Sequence, residues 1–307
     1  MSSEPAAPPV VAVVGPTAAG KTALSLDLAE ALGGEIVNTD SMQVYVGMDI
    51  GTAKLPVAER RGIPHHLLDT MNVRETASVA EFQHQARGVI EDCRSRGRAP
   101  VLVGGSALYT RAVLDRFEFP GTDPAVRARL EQRLADEGPQ PLHDELASKD
   151  PLAASRILPT NGRRIVRALE VVELTGSFSA TLPTLTYALD GAHQVGVDIP
   201  REVLDERIAL RVERMWEQGF VDEVRGLERH GLREGRTASA ALGYQQVLAF
   251  LAGDLTEQQA KESTIQGTRR FARRQDSWFR KDPRIHWVSW DDPDMLVKVL
   301  GILRDTP

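Results

Sequence analysis

The stretch that decides the fold is VVAVVGPTAAGKT, residues 10–22. Its first five residues are apolar and mostly β-branched, which predicts a buried strand. Gly15 to Thr22 then fit the pattern G-x-x-x-x-G-K-[ST], and a helical pattern of apolar residues follows as far as Leu32. A strand, a glycine-rich loop and a helix in this order predict a phosphate-binding loop.

Each part of this loop suits a phosphate group. Glycines let the backbone curl so that successive N–H groups point at one anion, and the start of the next helix adds its partial positive charge. Lys21 supplies a full positive charge, and the hydroxyl of Thr22 is a suitable ligand for Mg²⁺. The loop therefore predicts a di- or triphosphate site, not necessarily for a nucleotide, formed by Gly15, Pro16, Thr17, Ala18, Ala19, Gly20, Lys21 and Thr22.

Composition limits the class of protein. A chain of 307 residues with 42% hydrophobic content can bury a substantial core. Because the net charge is −6, nucleic acid would have to be bound by local basic patches. The single cysteine, Cys93, excludes a disulfide framework and any zinc site built on several thiolates.

The N-terminus and the hydropathy pattern indicate where in the cell the protein is expected. Residues 1–9 are rich in Pro, Ala and Ser and lack the basic and apolar regions of a signal peptide, so we expect a disordered lead-in. No apolar run has the length that a bilayer-spanning helix needs. We expect a cytoplasmic protein, and a monomer because no long apolar heptad pattern is present.

The order of elements predicts an α/β fold. Strand patterns at 35–38 and 100–103 alternate with helical patterns, which indicates a P-loop-type core with a parallel sheet flanked by helices over 10–118 and 192–307. Residues 119–191 hold only short helical segments separated by Gly and Pro, which predicts a small all-helical insertion domain. Further helices are expected over 201–218, 221–229, 238–251 and 256–281, then a last strand at 285–289 and a helix from 295.

Asp40 is the first candidate for chemistry outside the loop. It follows the second predicted strand, and ligands of open α/β sheets bind beyond the carboxyl ends of the strands. Asp40 is therefore expected at the same edge of the sheet as the phosphate loop, where a carboxylate can act as a general base or a metal ligand. The alternative is that Asp40 caps the turn that follows it.

Arg207, Arg211 and Arg214 share one face of the helix predicted over 201–218. Three aligned guanidinium groups suit the binding of phosphates. A solvated face, paired with neighbouring glutamates, fits the same spacing equally well.

The most basic stretch is TRRFARRQDSWFRK, residues 268–281. Arginines interleaved with aromatic residues suit a nucleic-acid backbone and stacked bases. We expect Phe271 and Trp278 to lie in the core and some of the arginines to contact phosphate. A second basic segment, 163–167, lies in the predicted insertion.

Two further features receive no catalytic role. His65 and His66 are adjacent in a predicted loop, which is not the spacing of a metal site. Cys93 falls in a helical pattern and is expected to be a packed apolar residue.

Together these blocks resemble one family, the bacterial tRNA dimethylallyltransferases, also called tRNA isopentenyltransferases. The resemblance runs nearly end to end, and its most specific part is the block 40–54 joined to the phosphate loop. The matching blocks are 15–22, 40–45, 47–54, 64–69, 104–109, 164–170, 242–244 and 268–275.

Four positions depart from the family pattern. Val46 stands where a basic residue is usual, Ser106 where threonine is usual, Gly162 where aspartate is, and Gln246 where glutamate is. These departures bear on the details of tRNA contact and leave the reaction class unchanged. Bacterial members lack the zinc finger of their eukaryotic relatives, in agreement with the single cysteine.

The resemblance implies transfer of a dimethylallyl group from dimethylallyl diphosphate to N6 of adenosine 37, beside the anticodon of tRNA. It implies Mg²⁺ as cofactor and no obligate protein partner. Lys21 and Thr22 would neutralise the leaving diphosphate, Asp40 would take the N6 proton, and the target base would be extruded into a channel.

The same resemblance suggests two sets of binding residues. The diphosphate set is the loop from Gly15 to Thr22, to which we add Arg207 and Arg211. The tRNA set is Asp40, Ser41, Met42, Gln43, Ser106, Arg127, Arg163, Arg164, Arg167, Gly243, Tyr244, Arg270 and Arg273.

Three other functions share part of this pattern. An ATP-dependent P-loop kinase of a small metabolite would use the same loop and Asp40, but it leaves the basic helices unexplained. A GTPase-type switch would need an Asn-Lys-x-Asp motif, which the sequence lacks. Prenylation of free adenine nucleotides would need no large basic surface.

Overall fold

The computed structural model describes residues 7–179 and 184–305. Most of the predicted lead-in, residues 1–6, lies outside this range, as do residues 180–183 of the predicted insertion. The chain divides into two compact units, a core unit of Met1–Asp115 with Tyr187–Pro307, and a second unit of Arg116–Thr186. None of the helices in the described part of the chain combines the length and apolarity that a membrane-spanning helix needs.

The core unit contains one parallel sheet. Its described strands are β1 (Val10–Val14), β2 (Glu35–Asn38), β3 (His65–His66), β4 (Pro100–Val103), β5 (Ala192–Asp198) and β6 (Ile285–Ser289). Their order across the sheet is β3-β2-β4-β1-β5-β6, and every pairing is parallel. The predicted α/β class, a parallel sheet flanked by helices, is confirmed.

Strand β1 lies inside the sheet, and all five of its residues are buried. Val10, Ala12 and Val14 pack into one apolar cluster, whereas Val11 and Val13 pack into another. Because neighbouring side chains of a strand point to opposite faces, both faces of the sheet are covered. This double burial explains the unbroken apolar run in the sequence.

Helices surround this sheet in the core unit. They are α1 (Lys21–Leu32), α2 (Val79–Ser95), α3 (Ala107–Leu114), α8 (Arg201–Glu217), α9 (Phe220–Arg229), α10 (Tyr244–Ala252), α11 (Glu257–Phe279) and α12 (Met295–Asp305). Helix α1 ends where the sequence predicts, because Gly33 adopts a left-handed conformation (φ 58°) and its N–H closes the last turn.

Two local predictions are wrong. Residues His65 and His66 form a two-residue edge strand instead of a loop, and a strand of that length carries no periodic signal. The helix expected over 238–251 begins only at Tyr244, because Gly243 adopts φ 90° and interrupts the helical backbone.

The second unit is helical in its described residues. Its helices are α4 (Pro124–Glu137), α5 (Pro139–Lys149), α6 (Pro151–Ser155) and α7 (Gly162–Thr175). Leu130, Leu142, Leu146 and Ile165 lie at the centre of its own apolar core. The unit begins and ends a few residues earlier than the predicted bounds 119–191.

The shift in bounds has a local cause. Asp115 and Tyr187 form an antiparallel bridge within the core unit, and the N–H of Ala188 donates to the carbonyl of Leu114 at 2.7 Å. Residues 187–191 are therefore bonded to the core unit.

Candidate active site

A cavity of about 430 Å³ lies at the carboxyl ends of β1, β2 and β4. Thr17, Lys21 and Thr22 line it from the phosphate-loop side, and Asp40 lines it from the end of β2. The sequence prediction that Asp40 shares an edge of the sheet with the loop agrees with this arrangement. The cavity thus joins an anion-binding loop to a carboxylate.

The loop needs unusual backbone conformations. Gly15 and Gly20 have φ values of 135° and 107°, which residues with a side chain rarely adopt. A Cβ added at Gly15 would lie 3.3 Å from the carbonyl oxygen of Val197. Ala18 also has a positive φ, 65°, and backbone strain of this kind is concentrated at functional sites.

Lys21 lies beneath the loop, and its Nζ donates to the carbonyl of Pro16 at 2.7 Å. Burial, and next the positive charge of Arg211, lower the pKa of Lys21 to about 7, although the negative charge of Asp40 opposes the shift. The positive charges of this cavity therefore repel one another, and an anionic ligand would relieve that repulsion.

The arginine face of α8 is turned to the same cavity. Arg207, Arg211 and Arg214 line it, and Nη1 of Arg211 donates to the hydroxyl of Thr17 at 2.9 Å. Burial, and next the charge of Arg207, lower the pKa of Arg211. This placement favours the phosphate-binding interpretation of the spacing over the solvated one.

Asp40 is held by the strand that precedes it. Its N–H donates to Oδ1 of Asn38 at 2.8 Å, and Nδ2 of Asn38 donates to the carbonyl of Asp40 at 3.1 Å. The carboxylate oxygen Oδ1 accepts from the N–H of Met42 at 2.8 Å, as in the capping alternative. The half-buried carboxylate also lines the cavity. The cap is therefore present, and the role of Asp40 as a general base or metal ligand stays a prediction.

A second cavity, of about 540 Å³, adjoins the first. Its lining includes Ser41, Met42, Ser106, Leu108 and Trp278. The residues that line both cavities are Thr17, Asp40, Thr52, Gly105, Arg211, Phe271 and Gln275. Asp40 therefore lies where the two cavities meet.

Phe271 and Trp278 are not core residues, so the sequence prediction for them is wrong. Their exposed fractions are 40% and 42%, and they line the cavities. The buried residues of α11 are instead Ala260, Thr264, Gly267, Ala272, Gln275 and Phe279. Arg274 lies over the Phe271 ring, 5.9 Å from its centroid, so one of these two aromatic rings already makes a cation–π contact.

The predicted tRNA residues of the core unit fall into three places. Ser41, Met42, Ser106, Gly243 and Tyr244 line the second cavity, and Gln43 lines the first. Arg270 and Arg273 are exposed on α11. Their contact with tRNA stays a prediction.

Tyr244 is fully buried, and its hydroxyl donates to Oε1 of Glu223 at 2.6 Å. The same carboxylate accepts the N–H groups of Asp49, Ile50 and Gly51 at 3.1, 2.6 and 3.2 Å. Glu223 thus fixes the loop that leads to Thr52 in the cavity lining. Sequence reasoning missed Glu223, because nothing in a helical pattern marks an acceptor for a distant loop.

In the second unit, two of the four arginines predicted to contact tRNA form ion pairs within the unit. Arg127 and Arg167 both form ion pairs with Glu170, whose side chain is fully buried. Arg163 and Arg164 are exposed on α7. A role of these four residues in tRNA contact stays a prediction.

The oxygen donors at the phosphate loop fit Mg²⁺. Mg²⁺ is usually bound by one or two protein oxygens together with substrate phosphates and waters. The exposed Thr22 and the carboxylate of Asp40 line the first cavity. No thiol is among the residues that line it, and His65 supplies the one imidazole there. Such a donor set suits a hard cation.

Comparisons with known proteins cover both units. A family model described as IPP transferase matches residues 43–282. A tRNA dimethylallyltransferase from a Nocardioides species is 63% identical over 307 residues, which is 100% of this chain and 99% of that protein. The solved full-length tRNA isopentenylpyrophosphate transferase from Bacillus halodurans has a TM-score of 0.70 at 40% identity, over 97% of this chain and 95% of that one. A eukaryotic dimethylallyltransferase, solved acting on tRNA, has a TM-score of 0.78 at 25% identity. The match covers 95% of this chain and 77% of that one.

Proposed function

This chain belongs to the IPP transferase family, and we propose that it transfers a dimethylallyl group from dimethylallyl diphosphate to N6 of adenosine 37 in tRNA. The family resemblance seen in the sequence is confirmed. The observation that carries the proposal is the junction of two cavities at Asp40, one lined by the phosphate loop and one by α11 and the loop after β4. A kinase of a small metabolite is not favoured by the relatives.

The diphosphate half of the reaction is assigned to the first cavity. The loop N–H groups, Lys21, Arg207 and Arg211 would bind the diphosphate and stabilise the charge that develops as the C1–O bond breaks. Mg²⁺, held by Thr22 and the diphosphate oxygens, would supply further charge neutralisation when bound. The mutual repulsion of these positive groups supports the assignment, since it makes an anion the favoured ligand.

The adenosine half is assigned to the second cavity. An adenine N6 is a weak nucleophile because its lone pair is delocalised into the ring, and it must lose a proton as the new N–C bond forms. Asp40 would take that proton, since it faces both cavities. The base would enter after extrusion from its stack, as in other enzymes that modify a base.

The partners that follow are tRNA and dimethylallyl diphosphate. The overall charge of −6 favours a tRNA contact confined to basic surfaces. We assign that contact to the exposed arginines of α11 and of the second unit. A cytoplasmic location and a monomeric state belong to the same proposal.

The direct test is incubation of the full chain with labelled dimethylallyl diphosphate, Mg²⁺ and unmodified tRNA, followed by nucleoside analysis. We expect labelled N6-(dimethylallyl)adenosine from an anticodon stem-loop that carries adenosine 37, and none from the matched stem-loop with guanosine there. Labelling of free AMP alone, or transfer of the γ-phosphate of ATP to a metabolite, would assign the chain to one of the alternative functions.

A further inference from the structure

Gln275 connects two loops that are far apart in the sequence. Its side-chain amide is buried, with 6% of the residue exposed. Oε1 accepts from the N–H of Thr17 at 2.9 Å, and Nε2 donates to the carbonyl of Gly105 at 2.8 Å. Because the first partner is a donor and the second an acceptor, only one orientation of the amide satisfies both.

The two loops leave neighbouring strands. Thr17 belongs to the phosphate loop after β1, and Gly105 follows β4, which pairs with β1 in parallel. The backbone of the second loop also approaches the end of β2, because a Cβ at Gly104 would lie 2.3 Å from Oγ1 of Thr39, the residue before Asp40. Gln275 thus ties the phosphate loop to a segment that lies beside Thr39, the residue before the proposed base.

The fit around the amide is tight. A Cβ added at Gly105 would lie 2.2 Å from Nε2 of Gln275, so a larger residue there would displace the amide. Gln275 also lines both cavities, together with Asp40 and Thr17. The hydroxyl of Thr17 in turn accepts from Arg211.

We propose that Gln275 is a positioning residue that sets the separation between the bound diphosphate and the adenine for prenyl transfer. This inference rests on the proposed function. Each substrate is bound mainly by other groups, so loss of the amide changes the alignment of the reacting atoms more than it changes affinity. Displacements of about 1 Å between reacting groups lower rates by roughly 100-fold.

The test compares Gln275→Met, Gln275→Glu and the control Gln266→Met, which changes an exposed glutamine of the same helix. We expect Gln275→Met to lower kcat by about 30- to 100-fold while the KM of each substrate stays within about threefold. Gln266→Met should match the wild type. Activity of the wild type establishes the proposed function separately from this inference.

Gln275→Glu supplies a second, independent readout. Its carboxylate keeps an acceptor for Thr17 but repels the carbonyl of Gly105, and protonation restores the missing donor. Its activity relative to the wild type should therefore rise as the pH is lowered from about 8 to about 6, whereas the relative activity of Gln275→Met stays constant. A kcat of Gln275→Met within about threefold of the wild type, or a pH-independent ratio for a folded Gln275→Glu, would overturn the inference.

Discussion

The two ends of strand β2 carry charged groups in opposite arrangements. At its start, Glu35 accepts from both Nη atoms of Arg96 at 2.6 and 2.9 Å, and from Nε2 of His66 at 2.7 Å. Just beyond its end, Asp40 faces a cavity in which Lys21 and Arg211 repel each other. The charged groups are paired at the first end. At the second end Lys21 and three arginines line a cavity that has one carboxylate, which favours an anionic ligand.

The compensated end shows why a cluster of donor atoms is not by itself a metal site. Among the described residues, Glu35, His66 and Cys93 are the one group of three donors close enough to hold a metal ion. Hydrogen bonds from Arg96 above all lower the pKa of Glu35 to about 2, and burial raises the pKa of the Cys93 thiol to about 11. The carboxylate is already saturated and the thiolate is disfavoured, so we interpret this cluster as structural.

The largest expected effect tests the uncompensated end. Asp40→Asn removes the proposed base but keeps an oxygen that can accept from the N–H of Met42. We expect prenyl transfer to fall by roughly 1,000-fold, within the range for loss of a general base, with the melting temperature and the affinity for dimethylallyl diphosphate little changed. Single-turnover assays with saturating substrates measure the effect, and near-normal turnover would remove Asp40 as the base.

Lys21→Met should come next in size. Loss of a charged hydrogen-bond donor to the diphosphate should weaken binding of dimethylallyl diphosphate by about 10- to 100-fold. Titration calorimetry measures this directly, with Lys281→Met as the control because Lys281 is exposed. Equal affinities for the two variants would contradict the phosphate-loop role.

Glu35→Gln should have the opposite effect to Asp40→Asn, because we expect it to lower stability and leave catalysis normal. A neutral amide leaves Arg96 without its carboxylate, which should lower the free energy of unfolding by about 1–2 kcal/mol. Because the folded-state pKa of Glu35 lies below the usual value of 4.5, its contribution is complete above about pH 4.5 and disappears as the pH falls through about 2. Denaturant titrations from neutral to acidic pH should therefore show the free energies of unfolding of the wild type and of Glu35→Gln converging in acid. A reduced kcat for Glu35→Gln would contradict the interpretation that Glu35 is structural and has no part in catalysis.

The smallest expected effect concerns arginines that belong to neither group of charges at the ends of β2. Arg270 and Arg273 are exposed on α11. Changed together to Ala, they should reduce the salt dependence of tRNA binding by about one to two units of logarithmic slope. Filter binding across salt concentrations measures the slope, with Arg225→Ala and Arg229→Ala on α9 as a control pair. Identical slopes for the two double variants would place Arg270 and Arg273 outside the interface.

Sequence reasoning succeeded where the information is local. The phosphate loop is predictable because its glycines, its lysine and its flanking strand and helix are contiguous. The position of Asp40 is predictable for a related reason, since the carboxyl ends of parallel strands meet at one edge of the sheet. The spacing of Arg207 and Arg211 shows that they share a helix face. Spacing cannot show whether that face contacts solvent or lines a cavity.

The errors and omissions have one physical origin. Phe271 and Trp278 resemble core residues in any hydropathy pattern, yet they line a cavity that exists only once α11 is packed beside α8 and the loop after β4. Glu223 and Gln275 are ordinary polar residues on helices, and the loops that they bind, at 49–51 for Glu223 and at Thr17 and Gly105 for Gln275, lie more than 100 residues away in the chain. Such contacts leave no periodic signal, because each depends on one distance in the folded protein.

The chain by itself determined the elements and the chemistry available at the phosphate loop, because helix, strand and loop preferences act over a few neighbouring residues. Only the tertiary structure decided which charges compensate one another and which face a shared cavity. The physical reason is that the energy of a charge or a buried amide depends on what surrounds it in space, and those surroundings are assembled here from segments at both ends of the sequence.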